Sequence, residues 1–400
     1  MQQEFEINDL KPGMYISGVI EQSGSVKIKT QGLVRTANAI AKLADKGVMR
    51  VTVDLDKSKL SEDITSEHPP VDEQKEQAPA TQVNPVHFDK EISKASALYQ
   101  EAKQLQVQAF DNMKAGKPID TTAMKEVADG FIDSVFRNQD ALACMTRMRI
   151  KDEYLMEHSI NVAIIMSIFA KHLNLERSVI QDLATGALLH DLGKIGIPDT
   201  VLHKQGKLTS KEFNQIQQHV NLGFNVLTKS GDLSETSLEV VQDHHERLDG
   251  SGYPNGKKEE QLSIYARMIA IVDTYDAITA DRCYQNARTP VSAFKILRSE
   301  SGTSFDGELV SEFIKCMGIH PVGTLVKMKS NKLGIVVRSN PVNPIAPTVN
   351  IFYSVANKCY IESKTIDLSA SNCIEEIDRS VRPEDFKLDM IKFFREILLN

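Results

Sequence analysis

The sequence predicts a mainly α-helical protein, a helical bundle with a small N-terminal α/β unit and a small β-containing C-terminal region. Three observations carry this. Apolar residues recur at helical spacing from residue 88 to about residue 320. Before residue 57, short apolar runs alternate with turn signals, and after Pro321 runs rich in β-branched residues are separated by Asn and Pro.

Taken in order, residues 1–56 read as the α/β unit. Tyr15 to Ile20, Val26 to Thr30 and Met49 to Leu55 predict strands, and Val34 to Lys46 predicts a helix ending at Gly47. Residues 57–87 predict a flexible linker, because from Ser61 to Pro85 the chain is dominated by Ser, Glu, Pro and Gln and cannot bury a core. Residues 88–148 predict a helical hairpin that turns at Gly116 and Pro118. On its first arm Ile92, Ala95, Tyr99, Ala102, Ala109 and Met113 fall at heptad-like spacing. That stripe either packs on the next domain or forms a homodimer through the 88–137 helices, and periodicity alone does not separate the two. Residues 149–320 are helical and dense in chemistry. Residues 321–400 predict strands at Thr324 to Met328, Leu333 to Arg338 and Thr348 to Ser354. An amphipathic helix then opens at Pro383 and carries Phe386, Met390, Phe393, Phe394 and Ile397.

Composition narrows the function. At 400 residues the chain is long for one domain, and 41% hydrophobic residues suffice for a sizeable core. A net charge of -7 argues against a DNA or RNA polymer as partner, which would require a basic face. A small anionic ligand stays open, because a bound metal reverses the local field. The longest apolar run, Ile160 to Ala170, is too short to span a membrane. The N-terminal MQQEFEINDL lacks the features of a signal peptide. Five scattered cysteines with no CxxC pair read as reduced thiols in a cytoplasmic protein.

Between residues 158 and 245, five histidines stand at suggestive places. His158 shares a helical face with Val162, Ile165 and Phe169, and taken alone reads as a hydrogen-bonded core residue. His190-Asp191 ends an apolar helix and precedes Gly193. His219 lies on a helix begun by the capping box Thr209-x-x-Glu212. His244-His245 is rarer, since two adjacent imidazoles at a helix end can reach one centre. Asp273 shares its face with Ala266, Ile269, Ala270 and Ala277, so its carboxylate should be buried and in need of a cation. Together these seven residues point to a metal site. Imidazole with carboxylate suits iron, manganese or zinc, and the lack of cysteine ligands argues against a closed structural zinc site. His172, His203 and His320 fit no such pattern.

The run His190-Asp191-Leu192-Gly193-Lys194-Ile195-Gly196-Ile197-Pro198 and the later His244-His245-Glu246-Arg247-Leu248-Asp249-Gly250-Ser251-Gly252-Tyr253-Pro254 closely resemble the HD-GYP phosphodiesterases. The likeness covers about 149 to 320, through Asp273-Thr274-Tyr275-Asp276-Ala277 and Asp281-Arg282-Cys283-Tyr284. It implies an HD-type helical bundle holding two divalent transition metals, iron foremost, with manganese as the alternative. One metal would take His158, His190, Asp191 and Asp273. The other would take His219, His244 and His245, with Asp191 bridging. Asp191 and Lys194 would be the catalytic residues. Lys194 and Arg282 match positions that contact substrate phosphate, Tyr253 lies in the loop bordering the site, and Asp276 would orient a ligand or touch the substrate. Two positions depart from the family. Tyr154 stands where some members hold a third metal with a glutamate, and Gln285 stands where a lysine or arginine grips phosphate.

The resemblance implies hydrolysis of a cyclic dinucleotide, cyclic di-GMP or 3',3'-cyclic GMP-AMP, to a linear 5'-phosphorylated dinucleotide by a two-metal mechanism. A nonhydrolytic cyclic dinucleotide receptor is the alternative from another class, and a hydrolase of ordinary nucleotides is the third.

Overall fold

The computed structural model describes residues 2–11, 14–22, 32–34, 40, 43, 44, 48–54, 57, 86–147, 154–280 and 287–388. The chain divides into two compact units, Met1–Ala80 and Thr81–Asn400. Among the described residues, no helix is long and apolar enough to cross a membrane.

The first unit is an antiparallel sheet of β1 (Gln2–Glu6), β2 (Tyr15–Gln22), β3 (Gly32–Leu33) and β4 (Val48–Asp54), in the order β1-β4-β2-β3. Val48, Val51 and Val53 of β4 are buried with Ile7, Leu10, Met14 and Ile16. The two expected strands beginning near Tyr15 and Met49 are present. Of the helix expected over Val34 to Lys46, the described residues Ile40, Leu43 and Ala44 are helical, but Val34 itself is not. It follows β3, donates its amide to Met14 O and is buried in the sheet's core. β1 escapes a reading by alternation because it is an edge strand paired with β4 alone. The strand expected at Val26 to Thr30 lies outside the described residues, as does most of the expected linker.

The second unit opens with the helical hairpin, α1 (Phe88–Lys114) and α2 (Thr121–Met145). Gly116, at φ 65°, makes the turn, and Asp120 caps α2 by accepting from Ala123 N. Ile92, Ala95, Tyr99, Ala102 and Ala109 are buried within the chain and Met113 is partly buried against the same core, so the stripe packs on neighbouring helices. Polar side chains fix its register. Glu91, wholly buried, accepts from Ser134 and Arg137 of α2. Tyr99 donates to Asn161 at 2.9 Å and Gln106 donates to Leu188 O at 2.6 Å. α2 bends at Asn138, whose extended backbone interrupts the helix.

The bundle continues with α3 (Tyr154–His172), α4 (Arg177–Leu189), the single turn α5 (Asp199–Leu202), α6 (Ser210–Ser230), α7 (Glu235–Asp243), α8 (Ile264–Thr279), α9 (Pro290–Ser299) and α10 (Gly307–Met317). From Ile160 to Ala170 every residue of α3 is buried, which is why its sequence is apolar on all sides. The capping box at Thr209 and Glu212 forms as expected.

The C-terminal strands β5 (Leu325–Met328), β6 (Lys332–Arg338), β7 (Thr348–Ser354), β8 (Cys359–Asp367) and β9 (Ile377–Ser380) form an antiparallel sheet in the order β8-β7-β6-β5-β9. The three expected strands are present. β8 was not expected, because it is an exposed edge strand and shows no buried stripe. The sheet shares one hydrophobic core with the helices, and Asp140 of α2 accepts from both the amide and the hydroxyl of Ser339. The helix expected from Pro383 does not open there: Pro383–Phe386 form a short 3-10 turn, followed by Lys387 at φ 56°. Met390, Phe393, Phe394 and Ile397 lie outside the described residues.

Candidate metal centre

Five helices deliver the seven residues. His158 projects from α3, His219 from α6 and Asp273 from α8. His190 and His244 cap the C-terminal ends of α4 and α7, so Asp191 and His245 follow immediately where the chain turns. Two groups result, Asp191 with His219, His244 and His245, and His158 with His190 and Asp273. All are buried except His245, which is partly open.

Asp191 lies between the groups. Its Oδ1 is 3.3 Å from His219 Nε2 and 3.9 Å from His244 Nε2, while its Oδ2 is 3.5 Å from the Nε2 atoms of both His158 and His190. Asp273 Oδ1 is 3.0 Å from His158 Nε2 and 3.9 Å from His190 Nε2, and its Oδ2 is 3.6 Å from His245 Nδ1.

The imidazole hydrogen bonds show what the cluster requires. His190, His219 and His244 each place Nδ1 on the carbonyl three residues earlier, Ala187, Ile216 and Val241, at 2.7, 2.6 and 2.8 Å. A carbonyl only accepts, so each Nδ1 carries a proton, and a ring that holds a metal must then turn an Nε2 lone pair inward. His219 Nε2 and His244 Nε2 then face each other at 3.2 Å as two acceptors, beside a carboxylate oxygen. His190 Nε2 and Asp191 Oδ1 are buried without a hydrogen-bond partner. Lone pairs converging in a dry site repel unless a cation sits among them. The residues therefore fit a divalent metal.

The charge states agree. Burial, reinforced by neighbouring imidazoles, pushes His244 and His245 well below the ordinary histidine range, and burial lowers His190. Burial opposes charge on Asp191, but Lys194, His190 and His219 outweigh it and hold the carboxyl well below its usual range. Burial would likewise penalise Asp273, yet His158 and His245 keep it ionised. For these five residues the neutral imidazole and the ionised carboxylate are the states that coordinate metal. His158 differs: burial opposes its charge, but Asp273 and Asp276 outweigh burial and raise it above the ordinary histidine range, so metal would have to displace its Nε2 proton.

Surrounding groups hold these residues. Asp276 is wholly buried behind His158 and its Oδ2 lies 2.7 Å from His158 Nδ1. That placement suits an orienting carboxylate and removes Asp276 from the substrate contacts. Lys194, on the 3-10 turn Leu192–Gly196, puts its Nζ 2.5 Å from Asp191 Oδ2. Gly193 lets this turn touch α6, since a Cβ there would collide with His219 O and come within 2.6 Å of Gly223 N. Tyr253 lies against His245 with ring centroids 4.6 Å apart. Glu157, next to His158, pairs with Lys103 of α1. Arg282, Gln285 and the side chain of Tyr154 lie outside the described residues.

Sequence reasoning missed three supporting residues. Glu246 accepts from the amides of Asn255 and Lys257 and so folds the loop that carries Tyr253. Lys257 reaches back to buried Asp243 at 2.6 Å. Arg247 donates to His244 O and Glu246 O, with Thr274 Oγ1 at 3.4 Å, tying the paired-histidine turn to α8. Among the described residues no carboxylate pairs with it. Charged residues in a polar loop gave the sequence no signal of these roles.

Helix ends and helix faces converging on His190-Asp191 define a hydrolase centre of the HD type. The HD domain family matches residues 141–309, and a domain of unknown function matches residues 2–124. The chain is 35% identical over 292 residues to a cyclic di-GMP phosphodiesterase of Pseudomonas aeruginosa, covering 73% of this chain and 70% of that one. A cyclic di-GMP phosphodiesterase of Thermotoga maritima is 34% identical over 184 residues, 46% of this chain and half of that one. A 3'3'-cGAMP-specific phosphodiesterase 2 of Vibrio cholerae is 40% identical over 123 residues, 30% of this chain and 24% of that one. This chain belongs to the HD-GYP phosphodiesterases of the HD superfamily, and it is an enzyme.

Proposed function

We propose that this protein hydrolyses cyclic di-GMP, 3',3'-cyclic GMP-AMP or both to a linear 5'-phosphorylated dinucleotide, in the cytoplasm, at a centre holding two metals. The observation that carries the reading is Asp191, one carboxylate with an oxygen turned toward each group of histidines. Two divalent metals held there, iron or manganese, would supply Lewis acidity to the attacking and departing oxygens of an in-line displacement. His158, His190, Asp191 and Asp273 would hold one, and His219, His244 and His245 the other with Asp191 shared. Glu157 faces Lys103, which supports two metals over three.

The chain's own residues then bind and position. Lys194, whose side chain is 15% exposed, keeps an ammonium at the mouth of the cluster where charge grows on the phosphoryl oxygens. Tyr253 walls the open side at His245. The names of the relatives support both substrates and do not rank them.

The test is to incubate the purified, metal-reconstituted protein under reducing, low-oxygen conditions with each cyclic dinucleotide and with ordinary nucleoside triphosphates. Linear dinucleotide from a cyclic one is the expected product. Tight binding without product would establish a receptor, and turnover of triphosphates alone would establish an ordinary nucleotide hydrolase. Elemental analysis should give two metals per chain, and three tightly bound would overturn the stoichiometry.

A further inference from the structure

The rings around the site run further than metal binding requires. Tyr253 lies tilted over His245, and Phe213 meets Tyr253 nearly edge-on, with centroids 6.2 Å apart and planes at 82°. Phe213 stands in the first turn of α6, the helix that carries His219 into the cluster. The residue is 46% exposed and belongs to neither hydrophobic core. A single exposed phenylalanine is common on protein surfaces. This one is held two ring contacts from a residue of the metal cluster, on the side that Tyr253 borders. The fold makes little structural use of it.

A cyclic dinucleotide with one phosphate at the cluster projects its bases outward from the ring of sugars and phosphates. Each base has polar edges and a flat π-face, and a flat aromatic side chain at the rim recognises that face whatever the base. Tyr253 already spends contact area on His245, whereas Phe213 keeps much of its ring open. We propose that Phe213 is a stacking platform for one nucleobase of the substrate. The inference rests on the cyclic dinucleotide reading above. It adds a base subsite on α6, distinct from the phosphate contacts.

Three substitutions test it. Phe213→Leu keeps apolarity and removes the flat face. It should raise KM for cyclic di-GMP roughly five- to a hundredfold, the range of one lost stacked base, with kcat and metal content held. Phe213→Tyr should restore KM, which a general packing role would not require. The chain has no tryptophan, so Phe213→Trp places a single indole at the subsite. Its emission should be quenched by cyclic di-GMP and left unchanged by inorganic phosphate. An unchanged KM in Phe213→Leu, or indole emission that ignores the dinucleotide, would overturn the subsite. If the wild type hydrolyses no cyclic dinucleotide but the indole is still quenched, the subsite stands and the hydrolytic reading falls. Hydrolysis with an unmoved Phe213→Leu has the opposite meaning.

Discussion

At the scale of single residues, the proposed reaction rests most on Asp191 and Lys194. Asp191 turns one oxygen to each histidine group and lies within 3.5 Å of three of the imidazoles that would hold the two metals, so Asp191→Ala should abolish turnover and strip metal from the protein. Near-normal metal content by elemental analysis would show that the carboxylate does not bridge. Lys194 touches that same carboxylate, and in the proposed reaction it stands where charge develops. Its removal should act on the chemical step, and steady-state kinetics of Lys194→Ala should show kcat lower by about ten- to a thousandfold. An effect confined to KM would make Lys194 a binding residue only. The seven metal-seeking residues were legible because imidazoles and carboxylates stood at helix ends and on apolar faces, in a run resembling a known family. Asp276 was half legible. Its spacing from Asp273 was visible, but only the fold shows it buried behind His158. Phe213 left no trace, since an apolar residue on an amphipathic helix reads as core.

Among the elements, the 3-10 turn after Asp191 packs tightly on α6. Gly193 and Gly223 form this contact from opposite sides, and their replacements should behave differently. Gly193→Ala drives a methyl into the backbone of His219 and should cost about 3 kcal/mol, because backbone cannot step aside as a side chain does. It should also lower metal affinity by moving His219. Gly223→Ala meets Gly193 N at 3.2 Å, a few tenths too close, and gains helix propensity of about 1 kcal/mol, so it should be nearly neutral. Thermal melts of both decide, and equal losses would mean that the contact is softer than drawn. Long helices with caps were readable from periodicity and from Thr209 and Glu212. The strands β1 and β8 were not, because edge strands need no buried stripe. Pro383 was misread because Lys387 takes the left-handed conformation right after one turn.

Over the whole molecule, the seven cluster residues and their supports belong to the second unit. Residues 1–86 should therefore be dispensable for chemistry, and a chain starting at residue 87 should fold, load metal and turn over. Metal loading without turnover would make the first unit an activator. A chain starting at residue 149 should fail to fold. It loses Glu91, Tyr99 and Gln106 and the large apolar face that α1 and α2 contribute to the common core. Soluble, metal-loaded protein from that shorter chain would contradict this. The sequence showed the hairpin and the helical region as neighbours but not their union, since period alone does not say which surface a stripe covers.

The tautomers of His190, His219 and His244 have one more consequence. Each ring is fastened to the carbonyl of its own helix, so the backbone itself aims the Nε2 of that ring inward. Metal uptake then needs no helix to form and no apolar surface to leave water. Burial of apolar surface is what gives binding its negative heat capacity change. Calorimetric titration of iron or manganese into the stripped protein at several temperatures should thus give an enthalpy that hardly varies with temperature. A steep variation would reveal that the cluster assembles around its metals.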